Sequence, residues 1–294
     1  MRVIARIKGG IGNQLFCYAA ARRLAIMNNA ELVLDDVSGF SYDYAYKRDY
    51  QLDFFNISAN KATPSQRMEP YSRIRRFIVK RISRLLSFNI RKYIQQEGVD
   101  FDARMLKLRP KRDIYLDGYW QSEDYFKDVE QVIRADLYIK PPIDRFNLEM
   151  ALKVKSLNSI AVHVRYFDVI SDGSLNNISK DYYCRAVNYM KNIAPDAHYF
   201  IFSDNPMGAR KQIPLPDSSI TLVNHNQVGG HAFADLWLMT KCNHFIIANS
   251  TFSWWGAWLA DYPNKIVIAP GVVLNGSQTA WGFKGLIPES WIKL

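Results

Sequence analysis

From Ser159 to Ala269 the chain repeats one pattern, a short apolar, β-branched run followed by a longer stretch of helical spacing. Ser159 to Val164 (SIAVHV), His198 to Phe202, Ile220 to Val223, Phe245 to Ala248 and Lys265 to Ala269 read as strands. Asp181 to Ala194, His231 to Lys241 and Phe252 to Ala260 read as helices. Strands this apolar must be covered on both faces, and regular alternation with helices builds a parallel sheet with helices on either side. The pattern therefore fixes an α/β class before any single residue is considered.

The first half carries a second βαβ start: Arg2 to Ile7 as a strand, Asn13 to Asn29 as a helix, and Glu31 to Asp35 as a strand. Ile114 to Gly118 reads as a further strand, Ser122 to Asp136 as a helix, and Arg145 to Leu157 as a helix after the break at Pro141 and Pro142. With 294 residues the chain exceeds what one hydrophobic core usually holds, so two lobes are expected, 1–157 and 158–294. A hydrophobic share of 48% with 22% charged residues excludes a disordered or fibrous chain.

The three cysteines, Cys17, Cys184 and Cys242, are too few and too scattered for a disulfide framework or a zinc site, which favours a reducing compartment. The opening residues read as a strand and not as a signal peptide. No stretch reaches the about 20 apolar residues of a membrane span. A cytoplasmic location is the expectation.

The net charge of +10 is concentrated in an insertion, 61–96. Ten Lys or Arg face a single acid, Glu69, there, so the segment carries +9 and the remainder is close to neutral. Within it Ile74, Phe77, Ile78, Ile82, Leu85 and Leu86 recur at helical spacing between arginines and lysines. Two readings stay open for this basic amphipathic helix: packing on the core with a solvated cationic face, or peripheral contact of 74–86 with an anionic membrane at its cytoplasmic face. Nucleic acid ranks below both, because aromatic platforms are not interleaved with the charges.

Ligands of open α/β sheets bind outside the carboxyl ends of the strands, and polar residues gather there. After the first strand comes Gly9-Gly10-Ile11-Gly12-Asn13-Gln14, a turn into a helix N-terminus where backbone can approach a ligand closely. It is neither a dinucleotide fingerprint nor a P-loop, and a tight turn explains it equally well. His163 and Arg165 fall on one strand face with Asp168 in the loop beyond. Such a cation pair suits a diphosphate, the alternative being a surface pair of Arg165 with Asp168. Ser203, Asp204 and Asn205 end the next strand and suit either a ribose or a helix cap. Asn249, Ser250, Thr251, Phe252 and Ser253 open a helix and offer hydroxyl and backbone donors to an anion. Trp254, Trp255 and Trp258 read as core. No carboxylate pair or His/Cys cluster has metal-ligand spacing.

The ordered string of Gly9 to Phe16 (GGIGNQLF) with Tyr18-Ala19, His163-Val164-Arg165 with Asp168, Phe202-Ser203-Asp204, Asp235-Leu236 with Met239, and Ala248 to Leu259 (ANSTFSWWGAWL) resembles glycosyltransferase family eleven, the α-1,2-fucosyltransferases. The resemblance implies a GT-B type fold with two Rossmann-like lobes around a central cleft. It implies an inverting, metal-independent transfer of L-fucose from GDP-L-fucose, a substrate and not a cofactor, to the 2-hydroxyl of a galactose-type glycan acceptor such as an O-antigen unit, free or lipid-linked. Arg165 would hold the donor diphosphate, the second lobe the nucleotide, and the Gly-Asn-Gln loop would face the cleft. Asp168 is the candidate base, with His163 and Arg165 compensating the leaving group. Where the family commonly reads His-x-Arg-Arg-Gly-Asp, this chain has Tyr166 and Phe167, so one cation is absent. Competing readings are a GT-B transferase of another nucleotide sugar and a non-catalytic polyanion-binding protein.

Overall fold

A computed structural model describes residues 1–44, 46–167, 177–226, 232–275 and 278–294. The chain divides into two compact units, Met1–Tyr138 with Lys284–Leu286, and Ile139–Phe283 with Ile287–Leu294.

The first unit contains β1 (Arg2–Arg6), α1 (Ile11–Met27), β2 (Glu31–Asp35), β3 (Asn60–Lys61), α2 (Ser72–Arg84), β4 (Tyr93–Gln95), β5 (Ile114–Asp117) and α3 (Glu130–Asp136). Its sheet runs β3-β2-β1-β5-β4, every neighbour parallel. Helix α1 is apolar almost all round, and Leu15, Phe16, Tyr18, Ala19 and Leu24 are buried on several of its faces, as a helix enclosed by its own unit must be. The helix expected over Ser122 to Asp136 begins instead as two 3-10 turns, and only α3 is α-helical. Ser122 accepts from the Asp124 N–H, and Phe126 takes an extended φ of −147° that seats its ring in the core, so a continuous helix cannot form.

The second unit contains α4 (Arg145–Lys155), β6 (Ser159–Val164), α5 (Lys180–Ile193), β7 (His198–Ser203), α6 (Pro206–Gln212), β8 (Ile220–Val223), α7 (Ala232–Met239), β9 (His244–Ile246), α8 (Thr251–Leu259), β10 (Val267–Ala269), β11 (Val273–Asn275), β12 (Gln278–Trp281) and β13 (Ile292–Lys293). The six-stranded sheet runs β13-β10-β9-β6-β7-β8, all parallel, and β11 and β12 form a separate antiparallel pair. Ile160, Val162 and Val164 of β6 pack with Tyr182, Tyr183, Val187 and Met190 of α5. The intervening residues Ala161 and His163 turn to the opposite face.

The division falls after Tyr138, ahead of the lobe boundary expected near Leu157. The reason is α4, which is capped by Asp144 accepting from the Asn147 N–H at 2.9 Å. Asn147 is buried and exchanges two amide hydrogen bonds of 2.9 Å with Asn226, which fastens α4 to the second unit. Among the described residues no helix is long and apolar enough to cross a membrane.

Candidate active site

The second sheet reverses its strand order once. β6 is followed by β7 and β8 on one side, and the chain then returns to place β9 on the other. The crevice outside the carboxyl ends of β6 and β9 is therefore the ligand position that the topology itself provides.

Arg165 immediately follows β6. Its guanidinium forms an ion pair with the Asp204 carboxylate beyond β7, and the same carboxylate accepts from the Tyr166 N–H at 3.1 Å. Asp204 thus holds both the side chain and the backbone of the loop that carries the cation. The pair is not sealed off: the two side chains are 34% and 32% exposed, and the guanidinium lies 5.4 Å from the Phe167 ring centroid. Among the described residues Arg165 pairs with Asp204; the alternative of a surface pair with Asp168 lies outside the described residues.

His163 does not act as a second cation. It is buried, with Nδ1 2.9 Å from Ser253 Oγ and its ring 5.4 Å from that of Phe252. Burial, reinforced by the Arg165 charge, pushes its pKa down to about 3, so the imidazole is neutral at physiological pH. The Ser253 hydroxyl lies 3.2 Å from the Ser250 carbonyl as well as 2.9 Å from the His163 Nδ1. The expected pair of cations becomes one cation and one neutral ring that ties β6 to the first turn of α8.

That turn is built by the polar run after β9. Ser250 is the N-cap and accepts from the Phe252 N–H at 3.3 Å. Asn249 and Ser253 are buried while Thr251 and Phe252 are half-buried. Farther along, Trp254, Trp255 and Trp258 are buried, and Trp254 anchors the helix against Trp291, ring centroids 5.4 Å apart. A rigid helix N-terminus beside a partly exposed guanidinium can receive an anion at fixed geometry.

At the end of β7, Ser203 Oγ accepts from the Asn205 N–H at 3.0 Å and Asn205 caps α6 by accepting from the Gly208 N–H at 2.9 Å. These two side chains shape the turn that presents Asp204. Asp235 lies in the first turn of α7, where burial raises its pKa to about 6 against an opposing 2.8 Å bond from Asn226.

In the first unit, Gly9 has φ +77°, and a Cβ there would lie 2.9 Å from the Asn13 amide and 3.2 Å from Tyr119. Glycine is required at that position. A Cβ on Gly10 would meet nothing within 4 Å. Gly12 is buried in α1, and the Asn13 Oδ1 accepts from Gln121 at 2.7 Å. Gln14 is wholly buried, donating to the carbonyls of Gly9 and Asp49 at 2.9 and 2.8 Å and accepting from the Gln51 N–H at 2.9 Å. Both ends of its amide are spent on joining the 49–51 loop to the glycine turn.

A charged cluster at the same sheet edge went unnoticed in the sequence. Asp117, at the end of β5, is met by Lys8 at 2.7 Å, Arg6 at 3.2 Å and the Tyr93 hydroxyl at 2.6 Å. Burial alone would raise this carboxyl, but Lys8 and Arg6 outweigh it and bring it down to about 2. Arg6 also donates to the Ser38 carbonyl at 2.8 Å, and Ser38 Oγ to Asp35 at 2.6 Å. The available signal was the i, i+2 spacing of Arg6 and Lys8 at a strand end.

The pattern of glycosyl transferase family 11 matches residues 3–278. Two Escherichia coli proteins are 28% identical over 306 aligned residues: an alpha-1,2-colitosyltransferase, covering 99% of this chain and 98% of its own, and the O-antigen biosynthesis glycosyltransferase WbnK, covering 98% and 99%. A galactoside 2-alpha-L-fucosyltransferase of Caenorhabditis elegans is 29% identical over 52% of this chain and 44% of its own. Among solved structures, the NodZ alpha-1,6-fucosyltransferase soaked with GDP-fucose superposes with a TM-score of 0.52 at 16% identity, covering 91% of this chain and 94% of that one. The fold is thus of the GT-B type, with two parallel-sheet units in series. A non-catalytic polyanion-binding protein is set aside, since the match spans both units and every motif at the sheet edges: this chain belongs to glycosyl transferase family 11 and is a glycosyltransferase.

Proposed function

We propose that the chain transfers L-fucose from GDP-L-fucose, with inversion and without a metal, to the 2-hydroxyl of a galactose-type residue in a surface glycan. The observation that carries this reading is the Arg165–Asp204 pair beside the N-terminus of α8. As the glycosidic bond breaks, negative charge grows on the departing diphosphate, and stabilising it where it develops is the main electrostatic task of such a transfer. Arg165 meets that charge with a planar pair of donors, and the positive end of the α8 helix dipole adds to the potential there. Asp204 keeps the guanidinium aimed before the donor arrives. His163, neutral and bonded to Ser253, holds the two loops in register.

The names of the relatives support the sugar class and the linkage. They also favour one specific second reading, GDP-colitose as donor, since the colitosyltransferase matches nearly the whole chain. Incubating the protein and a β-galactoside acceptor with GDP-L-fucose, GDP-colitose or GDP-mannose, with and without EDTA, separates these. Fucosyl transfer unaffected by chelator is the expected result. A preference for GDP-colitose would establish the second reading, and transfer from GDP-mannose alone, or a chelator-sensitive and metal-reversible rate, would overturn the proposal.

A further inference from the structure

Helix α2 is built inside out. At about 100° per residue, Phe77, Ile74, Leu85, Ile78 and Ile82 share one side of the helix, and that side faces solvent: Ile74 is 60% exposed, Phe77 57% and Leu85 87%. The opposite side, against the rest of the first unit, presents Val79, Ser83 and Arg76. Ser83 accepts from the Tyr93 N–H at 3.2 Å. Arg76 is buried and reaches the Arg67 carbonyl at 3.4 Å and Ser72 Oγ at 3.3 Å. Core packing therefore does not account for the apolar stripe read from the sequence. A helix made only to cover its own unit would put isoleucine and phenylalanine inward and arginine outward.

The flanks of the stripe decide what fits it. Arg73, Lys80 and Arg84 line one border, Arg75 the other, and Arg81 stands within it, 5.0 Å from the Phe77 ring. None of these five forms an ion pair among the described residues, and no acid occurs between Glu69 and Glu97. At the N-terminal end of the helix Tyr71 and Tyr42 are exposed, and Arg73 lies 5.8 Å from the Tyr42 ring. Phenols at such a border suit a boundary that is apolar on one side and wet on the other. A second copy of the chain would bring the same uncompensated cations face to face, and a nucleic acid would leave the apolar stripe in water. An anionic lipid leaflet satisfies both features at once.

We infer that α2 lies in the plane of an anionic membrane surface, with Ile74, Phe77, Ile78, Ile82 and Leu85 in the acyl boundary and the arginines at the headgroups. Such a surface would hold the enzyme where lipid-linked glycans are built, although the inference does not depend on which sugar is transferred.

Co-sedimentation of the whole protein with vesicles tests this, comparing phosphatidylcholine alone with equal parts phosphatidylcholine and phosphatidylglycerol at low salt. The wild type should pellet only with the mixed vesicles. Because the altered residues are exposed, two variants keep the fold: one carries Arg73→Glu, Arg75→Glu, Arg81→Glu and Arg84→Glu, the other Ile74→Gln, Phe77→Gln, Ile78→Gln and Ile82→Gln. Each should lose about a hundredfold or more in partitioning while transfer to a soluble acceptor stays unchanged. A wild type left in the supernatant, or a charge-reversed variant that still pellets, overturns the inference. Undiminished pelleting of the glutamine variant overturns insertion and leaves polyanion attraction. Self-association without vesicles that the glutamine variant abolishes assigns the face to a second copy instead.

Discussion

In each sheet the chain crosses over its first strand to reach the far side, past β1 to β4 and β5 in one and past β6 to β9 in the other, and it treats the two junctions differently. At the ends of β1 and β5 it places two cations that share one buried carboxylate, with Lys8, Arg6 and Tyr93 all converging on Asp117. At the ends of β6 and β9 it places one cation whose partner leaves both side chains about one third exposed, next to a helix start. Charge at the first edge is consumed by the fold. At the second it stays available, because a guanidinium that keeps contact with water can exchange part of its pairing for a phosphate without leaving a buried charge alone. Similar residue types at the two sheet edges are thus tied into the fold in one unit and, under the proposed function, left free for chemistry in the other.

The comparison breaks most visibly at Asp117. Asp117→Ala strands Arg6 and Lys8, and removing one partner of a buried pair costs about 3 to 5 kcal/mol. Urea unfolding should show that loss while the rate per folded molecule stays within about tenfold. Intact stability with collapsed activity would instead make this edge a working site. Arg165→Ala should behave in the opposite way. Losing a partly exposed pair costs under about 1 kcal/mol of stability, whereas kcat/KM should fall about a hundredfold or more, roughly 3 kcal/mol of transition-state stabilisation. Retention of more than about a tenth of the wild-type rate would remove Arg165 from the proposed role.

Acid sharpens the contrast next. His163 has a folded pKa near 3, below its ordinary 6.5, so its contribution to stability is present above about pH 6.5 and is lost as pH falls towards 3. Asp235 has the opposite sign: with a folded pKa near 6 against an ordinary 3.8, it stabilises below about pH 4, and that contribution is lost as pH rises towards 6. The two offset each other between about pH 4 and 6. His163→Asn, whose amide can replace either role of the imidazole toward Ser253, should therefore gain stability on acidification through that window, by roughly 1.4 kcal/mol per pH unit. A pH series of urea midpoints that stays flat in the variant would refute this. The smallest contrast is between neighbouring glycines. Gly9→Ala should cost about 1 to 2 kcal/mol for its left-handed backbone, and Gly10→Ala under about 0.5 kcal/mol, both read from the same midpoints.

Much of the second unit was legible because its strands are apolar on both faces. Ser159–Val164 and Ile220–Val223 match their predicted limits, β7 is longer than expected by one residue, and α8 is shifted by one residue at both ends. The first unit was harder. β3 and β4 are two and three residues long, too short to set a period, and β4 follows directly on the basic run that dominates its neighbourhood. At the site, positions were legible but roles were less so. Alternation placed His163 and Arg165 on one face, yet nothing local distinguishes a solvated histidine from one buried against Ser253, 90 residues away. The partner of Arg165 was equally hidden, because Asp204 comes from the neighbouring strand. In α2 the period was correct and the direction was undetermined: a helical spacing identifies the apolar side without saying whether it faces the protein or the solvent.

The tryptophans give the second unit an optical signature of its own. Of the seven in the chain, only Trp120 belongs to the first unit, where it packs edge-on to Tyr125 at 5.7 Å. The second unit holds the cluster of Trp254, Trp255, Trp258 and Trp291, with Trp254 and Trp258 stacked 6.1 Å apart at 11°. Indoles this close couple electronically, so tryptophan dichroism and emission report mainly on the second unit, and Trp120→Phe would make the tryptophan emission exclusive to it. The same helix whose first turn is proposed to meet the donor is thereby a built-in chromophore, and donor binding there, if the proposal holds, becomes a spectral event that needs no added label.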